Sequence, residues 1–160
     1  MAAQKQPTLL SPGDLAPGFR LPKLEGGEVG LADLLATGPV VLVFYKVSCP
    51  VCQMALPYLE RLRGGSLPIY AISQNDAADT RDFNREFGIT LPTLLDPEGS
   101  FPASNAYGIS YVPTTYAIGP DGRFTHVIES WDKKELEALA AIAGVQLLQP
   151  SENLPGFRAG

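Results

Sequence analysis

Apolar positions along the chain fall into runs of two kinds. Val40-Val-Leu-Val-Phe-Tyr45 is continuous, β-branched or aromatic, and bounded in front by Gly38-Pro39. A run that is apolar on both faces predicts a central strand with helices above and below. Leu67-Pro-Ile-Tyr-Ala-Ile-Ser73 is a second run of that kind. Between them Met54, Leu56, Tyr58, Leu59 and Leu62 recur at helical spacing until Gly64-Gly65 ends the helix. Pro57 lies inside this helix, where the missing N–H predicts a kink.

The flanking segments complete the order. Phe19-Arg-Leu-Pro and Glu28-Val-Gly-Leu, joined across Glu25-Gly26-Gly27, predict an N-terminal β-hairpin, with a helical turn at Ala32-Asp-Leu-Leu. Asp76 caps a helix running through Phe83 and Phe87 to a stop at Gly88. Thr93-Leu-Leu-Asp predicts a short strand and Ser104 to Ile109 one helical turn. Thr114–Ile118 and Arg123–Glu129 flank Gly119-Pro-Asp-Gly122, a hairpin signal. Asp132 caps a last helix, Lys133 to Ala143, with Leu136, Leu139, Ala140 and Ala143 on one face. The expectation is an α/β domain: a central mixed sheet flanked by helices, with an N-terminal β-hairpin extension. Residues 1–12 are expected as a flexible arm, 13–145 as one domain and 146–160 as a C-terminal tail.

Composition narrows the function classes. Hydrophobic residues make up 45% of the 160 and charged ones 18%, enough apolar surface for one core. Twelve Lys and Arg against seventeen Asp and Glu give a net charge of −5. Nucleic acid or an anionic membrane calls for a basic face, so neither is expected as a partner. The longest purely apolar stretch, Val40–Tyr45, falls far short of the roughly 20 residues of a membrane span. Met1 to Pro7 show no basic region followed by an apolar segment, and a cytoplasmic protein is expected, or an extracytoplasmic one if a leader has been trimmed from the chain.

The chemistry rests on the only two cysteines, Cys49 and Cys52. Two are too few for a disulfide framework or a four-thiolate zinc site. A redox pair, a soft-metal pair or an accident remains. Both fall where a strand gives way to a helix, and unpaired N–H groups at a helix start stabilise a thiolate. Lys46 adds positive charge three residues earlier. Cys52 lies one turn deeper, within reach of a disulfide. The spacing therefore suits Cys49 as the attacking thiol and Cys52 as the resolving one, with Pro50 and Val51 between them.

These residues resemble the thioredoxin fold. Cys49-Pro-Val-Cys52 stands between a buried strand and a helix with Pro57 five residues beyond the second cysteine. Val112-Pro113-Thr114 resembles the cis-proline loop of that fold. Gly13-Asp-Leu-Ala-Pro-Gly-Phe-Arg-Leu21 and Ile118-Gly-Pro-Asp-Gly-Arg123 are similar to landmarks of the redoxin branch, which holds the AhpC/TSA and TlpA/ResA-type proteins. The resemblance implies a thiol–disulfide oxidoreductase with a cis Pro113 packed against the cysteine pair. Val112, Pro113 and Thr114 would then form the substrate-binding loop, with an extended substrate paired to the Val112 backbone. No cofactor is needed, because the cysteine pair carries the electrons. The implied partners are protein disulfides or low-molecular-weight thiols, and a reductase or dithiol donor.

The sequence departs from thioredoxin itself in three places. Ser48 replaces the tryptophan before the first cysteine, Pro50-Val51 replaces Gly-Pro, and Val43 stands where thioredoxin carries a buried acid. Lys46 or water is then the candidate for proton transfer to Cys52.

Two rivals share the fold. A peroxiredoxin resembles the chain, but that family has threonine three residues before its attacking cysteine and proline four before that threonine. Lys46 and Leu42 occupy those positions. A Cu(I) carrier would bind both thiolates and a third ligand. Such carriers use wider cysteine spacing and a histidine near the proline loop, whereas the only histidine, His126, falls on the strand after the late hairpin. Tyr107 and Tyr111 are candidates to flank the site. Trp131, Phe157 and Arg158 are candidates for a partner surface or for the edge of the core.

Overall fold

The computed structural model describes residues 9–160. Strands β1 (Arg20–Pro22) and β2 (Glu28–Gly30) form the expected antiparallel hairpin, followed by α1 (Leu31–Leu35). The main sheet is built from β3 (Val40–Tyr45), β4 (Ile69–Ser73), β5 (Thr93–Leu95), β6 (Thr114–Ile118) and β7 (Phe124–Glu129). Its order is β5-β4-β3-β6-β7, parallel across β3–β4–β5 and antiparallel across β3–β6–β7. It is a mixed α/β sheet with β3 at its centre. Helices α2 (Pro50–Leu59), α3 (Ala77–Phe87), α4 (Pro102–Ala106) and α5 (Lys133–Ile142) connect or follow the strands. A 3-10 turn, Glu60–Gly64, extends α2. No described helix is long and apolar enough to cross a membrane.

The unbroken apolar run of β3 has a direct cause. Its side chains alternate between two cores. Val41, Val43 and Tyr45 join Cys52, Leu56 and Leu59 of α2 and Leu136, Leu139 and Ala140 of α5. Val40, Leu42 and Phe44 join Leu31 and Leu34 of α1, with Tyr107, Tyr116 and Phe124. Both faces of the strand are sealed, so every one of its six residues is buried.

Helix signals act where the sequence places them. Asp76 accepts a hydrogen bond from the Asp79 N–H at 2.8 Å, and Gly88 closes α3 in the left-handed conformation at φ 68°. Asp132 caps α5 through the Glu135 N–H. Pro57 lies inside α2, and the helix tightens into its 3-10 turn three residues later. The turn expected at Ser104 begins earlier, at Pro102, because Asp96 anchors it. That fully buried carboxylate accepts the Ala103 and Ser104 N–H groups at 3.0 and 2.8 Å.

Residues 1–8 of the expected arm lie outside the described residues, and Leu9 and Leu10 pack against the second core. Residues 146–160 return to the domain. Leu147 and Leu148 are buried, and β9 (Phe157–Arg158) pairs antiparallel with β8 (Trp131–Asp132). Trp131 is fully buried and donates its indole N–H to the Pro155 carbonyl at 2.7 Å. It serves the core and leaves no partner surface of its own.

Candidate active site

The site forms where β3 ends. A turn over residues 46–49 leads into α2 and is pinned from two sides. The Val47 N–H donates to Asn75 Oδ1 at 2.9 Å, and Gln53 Nε2 donates to the Val47 carbonyl at 3.0 Å. The Cys49 N–H donates to the Lys46 carbonyl at 3.2 Å. Asn75 and Gln53 carry no signal in the chain pattern that marks this role; only the fold brings them to Val47.

Cys49 is the N-cap of α2, one position before the first turn, with extended backbone at φ −86° and ψ 115°. Pro50, exposed, takes the first helical position, where a missing N–H costs nothing. Cys49 Sγ accepts from the Cys52 N–H at 3.2 Å, as a capping oxygen would. Both cysteines are free thiols; Cys49 is half-buried and Cys52 wholly buried. Val51 points into the core, and its N–H also favours the Cys49 thiolate.

The two thiols are driven apart in acidity. A hydrogen bond from the Cys52 thiol is the largest effect on Cys49. Against partial burial, and with the Cys52 and Val51 N–H groups and the charge of Lys46, it lowers Cys49 from 9.0 to about 6. As a thiol, Cys49 also donates to the Val112 carbonyl at 3.2 Å, which favours the protonated form. A thiol is a weak donor, so this contact yields to the amides and the charge on the other side. Burial pushes Cys52 far up, and the same thiol–thiol bond adds to the rise. One interaction thus holds one sulfur charged and its neighbour protonated. Lys46 is exposed and contributes through its charge; among the described residues its ammonium makes no hydrogen bond to either sulfur.

The proline loop faces the pair. The Val112–Pro113 peptide is cis, and Pro113 is buried. Its carbonyl accepts from the Ser130 N–H at 2.7 Å, tying the loop to the end of β7. Val112 is part-buried with its carbonyl on Cys49, so it stands directly beside the sulfur. Thr114 departs from the substrate-binding expectation. It is fully buried, and its hydroxyl donates to the Tyr111 carbonyl at 2.7 Å, so it braces the loop from inside.

Two other candidates, Tyr107 and His126, lie away from the site. Tyr107 is buried in the core on the opposite face of the sheet, edge-on to Tyr116 and Phe124. Tyr111 is 49% exposed beside Val112. His126 pairs with Ala117, which lies opposite Val41 near the start of β3, while the cysteines follow the end of that strand. The sheet therefore separates the only imidazole from the thiols, and no group of three metal-ligating side chains occurs among the described residues. Val43, where an acid would stand in thioredoxin, is fully buried in the core that holds Cys52. Thr115 lies opposite Val43 on β6, and its buried hydroxyl has no hydrogen-bond partner among the described residues.

Comparison with known proteins agrees with this geometry. The AhpC/TSA family model matches residues 12–127. The chain belongs to that family. Among its relatives, the thiol-disulfide oxidoreductase ResA of Geobacillus thermodenitrificans is 31% identical over 133 residues, covering 80% of this chain and 75% of that protein. A putative thiol:disulfide interchange protein DsbE from Chlorobium tepidum superposes with a TM-score of 0.72 at 24% identity, covering 84% and 97% of the two chains. The peroxidoxin BcpB of Mycobacterium tuberculosis superposes at 0.65 with 25% identity, covering 82% and 94%. The fold is thioredoxin-like, and the activity class of this AhpC/TSA protein is thiol–disulfide exchange.

Proposed function

We propose that Cys49 is the attacking thiol of this oxidoreductase, that Cys52 resolves, and that disulfides of extended polypeptides are its substrates. The observation that carries the assignment is the Cys52 N–H on Cys49 Sγ at the start of α2, with Cys52 buried behind it. The Cys49 thiolate attacks a substrate disulfide; a Cys49–substrate bond forms, the substrate S–S bond breaks, and one substrate sulfur leaves as a thiolate. Cys49 then carries no charge and no longer accepts the Cys52 hydrogen bond, which removes two of the three causes that raise Cys52. Cys52 gives its proton to water or to the departing thiolate and attacks Cys49 Sγ. The second substrate thiol is released and the Cys49–Cys52 disulfide remains. The pair has lost two electrons and the Cys52 proton, and the substrate, now two thiols, has gained the two electrons, that proton and a second proton from water; a dithiol donor restores the pair. With a dithiol substrate the sequence runs backwards.

Val112 supports the polypeptide part of the reading. Its backbone stands beside the attacking sulfur, where an added strand would align a substrate cysteine. Peroxide turnover is disfavoured by Lys46 at the position of the peroxiredoxin threonine, since an exposed ammonium offers no hydroxyl to orient peroxide.

Equilibration in graded glutathione buffers tests the proposal. The protein should pass between dithiol and disulfide at one midpoint potential, and Cys49→Ser should abolish the transition. A pair that stays reduced across the range contradicts it.

A further inference from the structure

Residues 149–160 cross the face that Proposed function assigns to substrate. The segment is anchored first at Arg61, which pairs with both Glu152 oxygens at 2.6 and 2.8 Å and donates to the Leu147 carbonyl at 2.8 Å. Trp131 then holds the Pro155 carbonyl, and the Lys133 N–H donates to Gly156 at 2.9 Å. Beyond this, Phe157 and Arg158 run as strand β9 along β8.

The last step reaches both walls of the groove. Arg158 Nη1 lies 3.9 Å from Met54 Sδ, on the helix that carries the cysteines. The Gly160 N–H donates to Ser130 Oγ at 3.0 Å, and Ser130 is the residue whose own N–H holds Pro113. Gly160 itself lies against the Val112 backbone. A Cβ built there would overlap the Val112 carbonyl oxygen and stand 2.6 Å from its carbon and 3.3 Å from its nitrogen. Only a residue without a side chain fits this approach.

We infer that residues 157–160 are an internal occupant of the polypeptide groove, which an extended substrate must displace to pair with Val112. The inference rests on the exchange reading above. The contact with Val112 is steric, and the hydrogen bond to Ser130 Oγ holds Gly160 in place: a substrate strand and Gly160 cannot both lie on the Val112 backbone. Cys49 remains partly exposed, so a small disulfide has a route to the sulfur that does not involve Val112. The occupant therefore discriminates between substrate sizes. It lowers the apparent affinity for polypeptides by the fraction of molecules with the groove open, and leaves small disulfides untouched.

Gly160→Val in the full chain tests this, because its side chain cannot sit on Val112. Reaction rates of the reduced protein are measured with insulin as the polypeptide disulfide and hydroxyethyl disulfide as the small one. The expected result is a gain of at least about threefold with insulin and a change within about twofold with the small disulfide. Ser130→Ala, which removes the acceptor for the Gly160 N–H, should move the insulin rate in the same direction. An unchanged insulin rate in Gly160→Val, or an equal gain with both disulfides, overturns the inference. Amide hydrogen exchange reads closure without any reaction. The amide of residue 160 should be protected in the wild type and unprotected in Gly160→Val, and fast exchange in the wild type overturns the inference as well. A wild-type protein with a protected Gly160 that is inert toward hydroxyethyl disulfide instead contradicts the exchange chemistry, and substrate gating falls with it.

Discussion

The Cys52 N–H points at Cys49 Sγ from 3.2 Å, so the resolving residue's own backbone stabilises the attacking sulfur. Acidity and geometry are therefore set by one helix start. The first consequence is kinetic. Alkylation of the reduced protein by iodoacetamide should follow a titration centred at about 6, the value to which Cys49 is lowered. Burial keeps Cys52 protonated, so Cys49→Ser should remain unreactive over the same range. A midpoint near the ordinary thiol value of 9.0 would contradict the assignment.

The second consequence is thermodynamic. A group more acidic in the folded protein than in the unfolded chain stabilises the fold above its unfolded pKa, and that stability is lost as pH falls through the folded value. For Cys49 the window runs from 9.0 down to about 6. Stability of the reduced wild type relative to Cys49→Ser should therefore rise as pH is raised through this window and fall as it is lowered. Partial exposure of the sulfur limits the gain to about 1–3 kcal/mol. Urea titrations of both proteins under reducing conditions across that range supply the comparison; a flat difference would speak against a folded-state thiolate.

The third concerns Thr115, whose buried hydroxyl has no partner among the described residues. Replacing an unpaired buried hydroxyl by a methyl group of similar shape removes a desolvation cost. Thr115→Val should leave the fold unchanged or stabilise it by about 1 kcal/mol, measured by denaturant unfolding. A loss of that size would show that the hydroxyl has a partner such as a buried water.

Much of this architecture is legible in the chain because burial on two faces writes an unambiguous pattern. Val40–Tyr45 is apolar throughout since its alternate side chains enter two separate cores. Asp76 and Gly88 mark the ends of α3 because a cap and a left-handed stop each need a particular residue type. The cysteine pair is legible from its spacing and from the change of strand to helix around it, and the structure makes Cys49 the N-cap of that helix. What escaped the chain pattern depends on contacts between distant segments. Thr114 is adjacent to Pro113 yet faces inward, because β6 begins there and pairs with Phe44 and Glu129. Spacing does not decide whether Tyr107 flanks the site, and its side chain enters the core on the far side of the sheet. The two-residue strand β9 is too short to show a period, and Ser130, at φ 64°, carries no composition signal for its left-handed turn. Gly160 on Val112 becomes visible only once the 47 residues of chain between them have folded.

Cys52→Ser gives the most direct measurement of the two-thiol mechanism. Without a resolving thiol, the attack of Cys49 on a polypeptide disulfide should stop at the mixed disulfide. Mass spectrometry after mixing the reduced variant with insulin should therefore find a covalent Cys49–insulin adduct that a dithiol releases, while the wild type accumulates none and gains the Cys49–Cys52 disulfide. Absence of the adduct in Cys52→Ser, with Cys49 still reactive toward iodoacetamide, would contradict the proposal that Cys49 attacks and Cys52 resolves.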